Sequence, residues 1–347
     1  MVRHRVTQAD VAALAGVSQP TVSFVLNGSA PSGVRISEET RSRVLEAIRI
    51  TGYSANPVAQ RLAGGRTQIL GVFTYEETFP RGGQDFYGGF LNGIEHAAER
   101  LGVDMLLFTS ARVVDGRRRL TGDGWPRLGV ADGCLLLGRL EDQSELQPLL
   151  DTHYPFVFIG RRRSEGGRLP YVGADYVAAT ARQVDRAAAL GHARIGCLRA
   201  RGADQPAKDR EEGYLTGVAR HGVAVHLLDA DDPATAARAI RDQGITAVLI
   251  APEHSHDDLA DALASLGLRV PDDVSLLLLG QPLHPQRGGR TWSGFTVPRE
   301  EMGARALVLL SRIVADGAPR DDRHQLIDCP DIDGGTLAAA PQEGPLT

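Results

Sequence analysis

Lysine is almost missing from this sequence. Lys208 is the single one, so nearly all of the 38 basic residues are arginines, a bias that reads as nucleotide composition rather than mechanism. Cysteine is equally sparse: Cys134, Cys197 and Cys329 lie far apart, without the spacing that holds a metal, and are expected to be plain buried thiols. No apolar run approaches the ~20 residues that span a bilayer. The basic start MVRHRVTQAD leads into no apolar export segment, which points to a cytoplasmic protein. The signatures of nucleotide and acyl chemistry are missing too, with no GxSxG elbow, no phosphate-binding GxxxxGK loop and no GxGxxG after a strand. His254 and His256, near Asp257, lack a third ligand at recognisable spacing and read as exposed loop histidines. No catalytic residue, metal or cofactor is expected.

What is present suffices for a sizeable core. A chain of 347 residues, 42% apolar, can build one small domain and one larger, two-lobed domain. The net charge of −5 argues against a nucleic-acid partner until it is partitioned: residues 1–66 hold eight arginines against four acids, a net +4 that leaves −9 for the rest. A basic end on an acidic body orients a molecule toward phosphate.

The stretch VTQADVAALAGVSQPTVSFVLN, Val6 to Asn27, carries two helices and a tight turn. Thr7 caps the first, with Asp10 at its third position and Val11, Ala12, Leu14 and Ala15 as the apolar set. Gly16 supplies a left-handed stop, Val17 plugs the space between helices, and Ser18 caps the second helix with Pro20 in its first turn. Val22, Val25 and Leu26 share a face that packs on the first helix and on a third, capped by Ser37 and running through Val44, Leu45 and Ile48 to Gly52. The opposite face offers Gln19, Thr21 and Ser23, with Phe24 beside them, and is free to enter a major groove. The same spacing also fits a small structural helical hairpin.

The second stretch, TRSRVLEAIRITGYSANPVAQRLAGGRTQILGVFT, decides between these readings. Together with the first it resembles the headpiece, third helix, NPxAxxLAxGRT hinge and first sensor strand of the lactose/galactose repressor (LacI/GalR) family of transcription regulators. Weaker likeness runs to about residue 330. The resemblance implies an α/β protein: an N-terminal all-α helix-turn-helix headpiece over residues 1–55, a hinge over 56–66, and a two-lobed periplasmic-binding-protein-like sensor with parallel sheets over 67–347. Its N-lobe is expected at about 67–166 and 295–325 and its C-lobe at about 167–294 and 326–347. The alternation of short apolar runs with amphipathic helices from Ile69 onward agrees, since buried strands between helices make parallel βαβ sheets. On this rhythm YVGAD opens the second lobe, and the helix from Arg299 to Asp316 returns to the first.

The resemblance also implies roles. Gln19, Pro20 and Phe24 read base edges, Leu62 of the hinge wedges into the minor groove, and Thr7, Ser18, Thr21, Asn27 and Tyr53 grip phosphates. The chain departs from the family at two of the three base-reading positions, because Pro20 has no polar side chain and Phe24 offers only apolar contact. In the motif DREEGY, Arg210 matches the family's effector-binding arginine; a surface ion pair is its alternative. Acids that often hold sugar hydroxyls are replaced: Gly160 follows FVFI, Pro252 and Glu253 follow VLIA, and Gly280 precedes Gln281. The loop YEETFPRGGQDFYGGF offers Phe79, Arg81, Asp85, Phe86 and Tyr87 in compensation, although Phe86 and Tyr87 equally suit helix-start packing. Arg161 and Asp175 complete the candidates.

The expectation is a dimeric repressor on a pseudo-palindromic operator, released by a small carbohydrate. Its rivals are a co-repressor-dependent regulator sensing a purine-like or phosphorylated metabolite, and a solute-binding protein.

Overall fold

The computed structural model describes residues 6–27, 36–53, 66–79, 85–120, 125–138, 143–162, 169–202, 204–230, 232–283, 287–316 and 320–342. Leu62 and Arg81 lie outside these residues, as does the side chain of Asn27. The chain forms two units, residues 1–69 with 130–132 and the remainder.

The first unit is built on α1 (Gln8–Ala15), α2 (Gln19–Asn27) and α3 (Glu38–Thr51). At its start the Asp10 amide donates to Thr7 Oγ1 and the Thr7 amide to the Asp10 carboxylate, so two otherwise orphaned donors satisfy each other. Gly16 ends α1 with φ of +63°, and the Val17 amide folds back onto the Ala12 carbonyl at 3.1 Å. Ser18 and Ser37 accept from Thr21 and Thr40 and start the next two helices. Val11, Ala12, Ala15, Val22, Val25, Val44 and Ala47 make one buried cluster. Leu14 and Leu45, expected in it, are each 52% exposed. With 100° per residue, a helix that turns Val11 and Ala15, or Val44 and Ala47, inward must turn these neighbours outward.

In the second unit β1 (Ile69–Thr74) leads to α4 (Gly88–Leu101), β2 (Asp104–Phe108) and the small hairpin β3 (Val113–Val114) and β4 (Arg117–Arg118). Then come α5 (Trp125–Leu128), β5 (Gly133–Leu137), α6 (Gln147–Asp151), β6 (Phe156–Ile159), β7 (Tyr171–Ala174) and α7 (Tyr176–Ala189). The second half runs β8 (Ile195–Leu198), α8 (Gln205–His221), β9 (His226–Leu228), α9 (Pro233–Asp242), β10 (Ala247–Ile250), α10 (His256–Ser265) and β11 (Ser275–Leu279). It closes with β12 (Ser293–Phe295), α11 (Arg299–Asp316), β13 (His324–Ile327) and β14 (Asp331–Ile332).

Two six-stranded sheets result, ordered β13-β7-β6-β5-β1-β2 and β14-β12-β11-β10-β8-β9. Pairing is parallel from β1 through β5, β6 and β7 to β13, and again from β9 through β8, β10 and β11 to β12, with β14 antiparallel at the edge. Every residue of β5, β6, β8, β10 and β11 is buried, because helices cover both faces. In the first sheet Val72, Leu135 and Val157 pack with Ile94 and Leu310, while their neighbours Phe73, Leu136 and Phe158 pack on the opposite side with Leu128 and Leu149.

Two expectations fail here. The strand Tyr171–Ala174 belongs to the first sheet, between β6 and β13, and does not open the second lobe. His324–Ile327 likewise closes the first sheet, so the chain returns to the second only at β14. A fully buried parallel strand reads the same in either sheet; only its partners tell them apart. α11 does pack on β5, β6 and α4, as the alternation implied.

Candidate functional site

In the helical unit the turn geometry sets the display. Because Val22 and Val25 point into the cluster, Gln19 and Pro20 are carried on the outer side of α2, and both are exposed. Thr21 and Phe24 are half-buried, and Tyr53 rests partly against the helical core. Thr7 and Ser18 are exposed, with their hydroxyls bonded to Asp10 at 2.8 Å and to Thr21 Oγ1 at 2.8 Å.

In the sheet unit a cavity of about 560 Å³ opens where strand carboxyl ends from both sheets meet the starts of α4, α8 and α11. This is the position that open parallel sheets reserve for ligands. Of the candidates from sequence, Arg210, Phe86, Tyr87, Glu253 and Gln281 line it. Arg210 is buried on α8, donates from Nε to the Leu279 carbonyl at 2.8 Å, and lies over the Tyr176 ring at 4.1 Å. The Tyr87 hydroxyl donates to Glu76. Gln281 spends its amide on the Thr296 hydroxyl and the Val297 backbone, donating to Thr296 Oγ1 and the Val297 carbonyl and accepting from the Val297 amide at 3.0 Å.

Phe79, Asp85, Arg161 and Asp175 are not among the lining residues. Phe79 is 67% exposed. Asp85 accepts from the Gly88 amide at 2.6 Å and Asp175 from the Ala178 amide at 3.0 Å, so both carboxylates serve helix starts. Arg161 faces the buried Asp209 at 3.5 Å. His256 corrects the loop-histidine reading: it begins α10, is 1% exposed and meets Trp292 edge-on at 4.5 Å.

Sequence reasoning missed Arg162, Lys208 and Arg299, which also line the cavity. Arg162 donates to the carbonyls of Arg161 and Gly138, both at 2.9 Å, and lies 3.8 Å from the Phe158 ring centroid. Burial pulls its guanidinium down to about 10. Arg299, the first residue of α11, lies over the Phe86 ring at 4.5 Å, and burial lowers its pKa as well, with Tyr176 opposing and Arg210 adding to that shift. The signal for Arg162 was its place three residues beyond the end of β6; for Arg299 it was the helix start. Where the family often has acids, Gly160 and Gly280 adopt φ of +119° and +124°, a region in which an aspartate is strained by about 1–3 kcal/mol.

Residues 7–56 match the family profile described as bacterial regulatory proteins, lacI family, and residues 184–336 match that of the periplasmic binding protein-like domain. The chain belongs to the LacI family. It is 27% identical over 325 residues to the HTH-type transcriptional regulator CelR of Thermobifida fusca, covering 90% of this chain and 94% of that one. It is also 27% identical to the HTH-type transcriptional repressor PurR of Photobacterium profundum, over 78% of this chain and 80% of that one. A solved lac repressor dimer bound to operator and the anti-inducer ONPF superposes with a TM-score of 0.69 over 97% of this chain and all of that one, at 22% identity. A solved CelR–cellobiose complex gives 0.63 over 96% and 100%, at 25% identity. This LacI-family chain thus combines a DNA-binding helix-turn-helix with an effector-binding α/β domain, the architecture of transcription regulators. Among the described residues no single helix is long and apolar enough to cross a membrane.

Proposed function

We propose that this chain is a cytoplasmic, homodimeric repressor that binds a pseudo-palindromic operator and is released from it when a small carbohydrate fills the cleft between the sheets. The carrying observation is the exposed Gln19–Pro20 edge of α2, held outward by Val22 and Val25 in a helix-turn-helix whose two helix starts are capped by Thr7 and Ser18. Gln19 pairs with adenine, Pro20 and Phe24 give apolar contact such as to a thymine methyl, and Leu62 enters the minor groove. Thr7, Ser18, Thr21, Asn27 and Tyr53 hold phosphates and fix register. Residues 1–55 form the headpiece, 56–66 the hinge and 67–347 the effector and dimerisation domain.

Arg210 is the anchor for ligand in the cleft. Its guanidinium is already fixed by the Leu279 carbonyl and the Tyr176 ring, so it is preorganised for a forked contact. Filling the cleft shifts how the N-lobes of two subunits pair, the hinge segments no longer pair, and operator affinity falls. Coupling of ~1–3 kcal/mol makes this a switch of about 5–150-fold. The similarity to the CelR–cellobiose complex favours a sugar, with a co-repressor-dependent response to a purine-like or phosphorylated metabolite as the alternative.

The test is selection of duplex DNA from a random pool with the purified chain, followed by titration of the selected site at two salt concentrations. Enrichment of a two-fold site whose binding weakens steeply with salt supports the regulator. A chain that enriches nothing is a solute binder. A sugar that tightens operator binding reverses the proposed sign of the response.

A further inference from the structure

Five cations line the cleft, Arg117, Arg162, Lys208, Arg210 and Arg299, against three acids, Glu76, Asp204 and Glu253. Arg162, Lys208, Arg210 and Arg299 form no salt bridge with a described carboxylate, although surface arginines elsewhere, such as Arg199 and Arg269, are paired. Arg162 and Arg299 each keep a buried Nε with no hydrogen-bond partner. Asp204, Glu76 and Asp209 lie near enough to act on Arg162, and Asp85 on Arg299, but none is bonded to them. A guanidinium withdrawn from water with no carboxylate bonded to it is costly, and a chain tolerates it where something else supplies the charge.

The cleft's neutral hydrogen-bonding groups are largely committed. Gln281 is bonded to the backbone and Tyr87 to Glu76, while the acid Asp204 accepts from the Ala207 amide at 3.0 Å as a helix cap. One face each of Tyr176 and Phe86 is covered by a guanidinium, so those faces are closed to stacking on a sugar ring. The residues that follow β6 and β11, Gly160 and Gly280, bring no side chain to a neutral hydroxyl.

We propose that the effector is a hydroxylated anion, a sugar bearing a carboxylate or phosphate, whose negative group is taken by Arg162, Arg210 and Arg299 with Lys208 at the rim. This rests on the cleft being the effector site and narrows what enters it. Guanidiniums bind planar carboxylate and phosphate oxygens by paired donors, and a buried cation gains a partner as the anion binds.

Inorganic phosphate is the first probe, titrated into the full chain at constant ionic strength while its melting temperature is followed. A saturable rise is expected, lost in the Arg162→Gln/Arg299→Gln variant and reduced in Arg299→Gln alone, whose folding is checked by circular dichroism. Glucose 6-phosphate and glucuronate, compared with glucose, identify the source of the charge: at least one of the two should act at concentrations about tenfold below inorganic phosphate, and glucose should not. Because Lys208 is the only lysine, its protection from an amine-reactive label by the same anions reports occupancy independently of stability. No saturable response to any of these anions, a response equal in parent and variants, or a neutral sugar that binds in preference overturns the proposal. A neutral sugar that also releases operator overturns the anionic effector and leaves the regulator standing. Failure to bind any duplex overturns the regulator and leaves the anion result to be read from the melts.

Discussion

Helices α4 and α11 cross with glycine on both sides, and this contact fixes one wall of the cleft. A Cβ added to Gly93 overlaps the Glu300 carbonyl oxygen and comes within 2.7 Å of its carbon and 3.0 Å of the Ala304 nitrogen. A Cβ on Gly303 overlaps the Phe90 carbonyl oxygen. These obstacles are backbone, so no rotamer change relieves them. Gly93→Ala gains about 1 kcal/mol from helix propensity alone. The forced separation of two helices costs about 1–3 kcal/mol or more. A net loss of about 2 kcal/mol lowers the sensor transition by roughly 4–8 °C for a domain of this size. Calorimetry of the parent and of Gly93→Ala measures it, with Gly202→Ala, which meets nothing within 4 Å, as the control expected to stay within about 1 kcal/mol of the parent. Since Phe86 precedes α4 and Arg299 begins α11, the same substitution should loosen their 4.5 Å stacking and weaken ligand binding. A Gly93→Ala protein that melts higher than its parent refutes the close-contact argument.

Other consequences can be checked in parallel. Removing the guanidinium in Arg210→Ala should weaken effector binding by about ten- to a hundredfold, as for a lost charge-assisted bond, measured by calorimetric titration. Gly280→Asp should lower the melting temperature and also block the ligand, because its side chain starts 3.4 Å from Arg210 Nη2 and supplies the counter-charge itself. His192, 2% exposed, is held between Thr246 Oγ1 at 2.9 Å and the Ala338 carbonyl at 3.0 Å, and burial lowers its pKa. The neutral ring therefore belongs to the folded state: its contribution is complete above the unfolded value of about 6.5 and is lost as pH falls through the lower folded value, a dependence that His192→Gln should flatten in melts across pH 4–8, about the range around that value. Burial pushes the Cys197 and Cys329 thiols up to about 12 and raises Cys134 as well, so a thiol reagent should label none in the native chain and all three in denaturant.

The headpiece was readable because its signals are local. Thr7 with Asp10, Gly16, Ser18 and Ser37 each act within one helical turn, and all four do what their positions imply. Leu14 and Leu45 were misplaced by a single residue of helical phase. Strands were visible as apolar runs, but the sheet that holds Tyr171–Ala174 depends on partners far away in sequence. The cleft was readable in part, at Arg210 through its motif and at Phe86, Tyr87, Glu253 and Gln281 through their places after strands. Phe158 stands only four residues before Arg162, but Arg299 acquires meaning from Phe86, before α4, and nothing next to it in sequence announces the meeting. Asp85 and Asp175 misled for the opposite reason: an aspartate before a helix serves the helix first.

The central claim is that α2 reads DNA and that occupancy of the cleft governs how tightly. Footprinting on a site selected from random duplex, with and without the anion that raises the melting temperature most, tests both halves together. The account predicts two protected half-sites related by two-fold symmetry, and a footprint that fades as the anion saturates. Protection of a single asymmetric site, or a footprint indifferent to an anion that demonstrably binds, would contradict it.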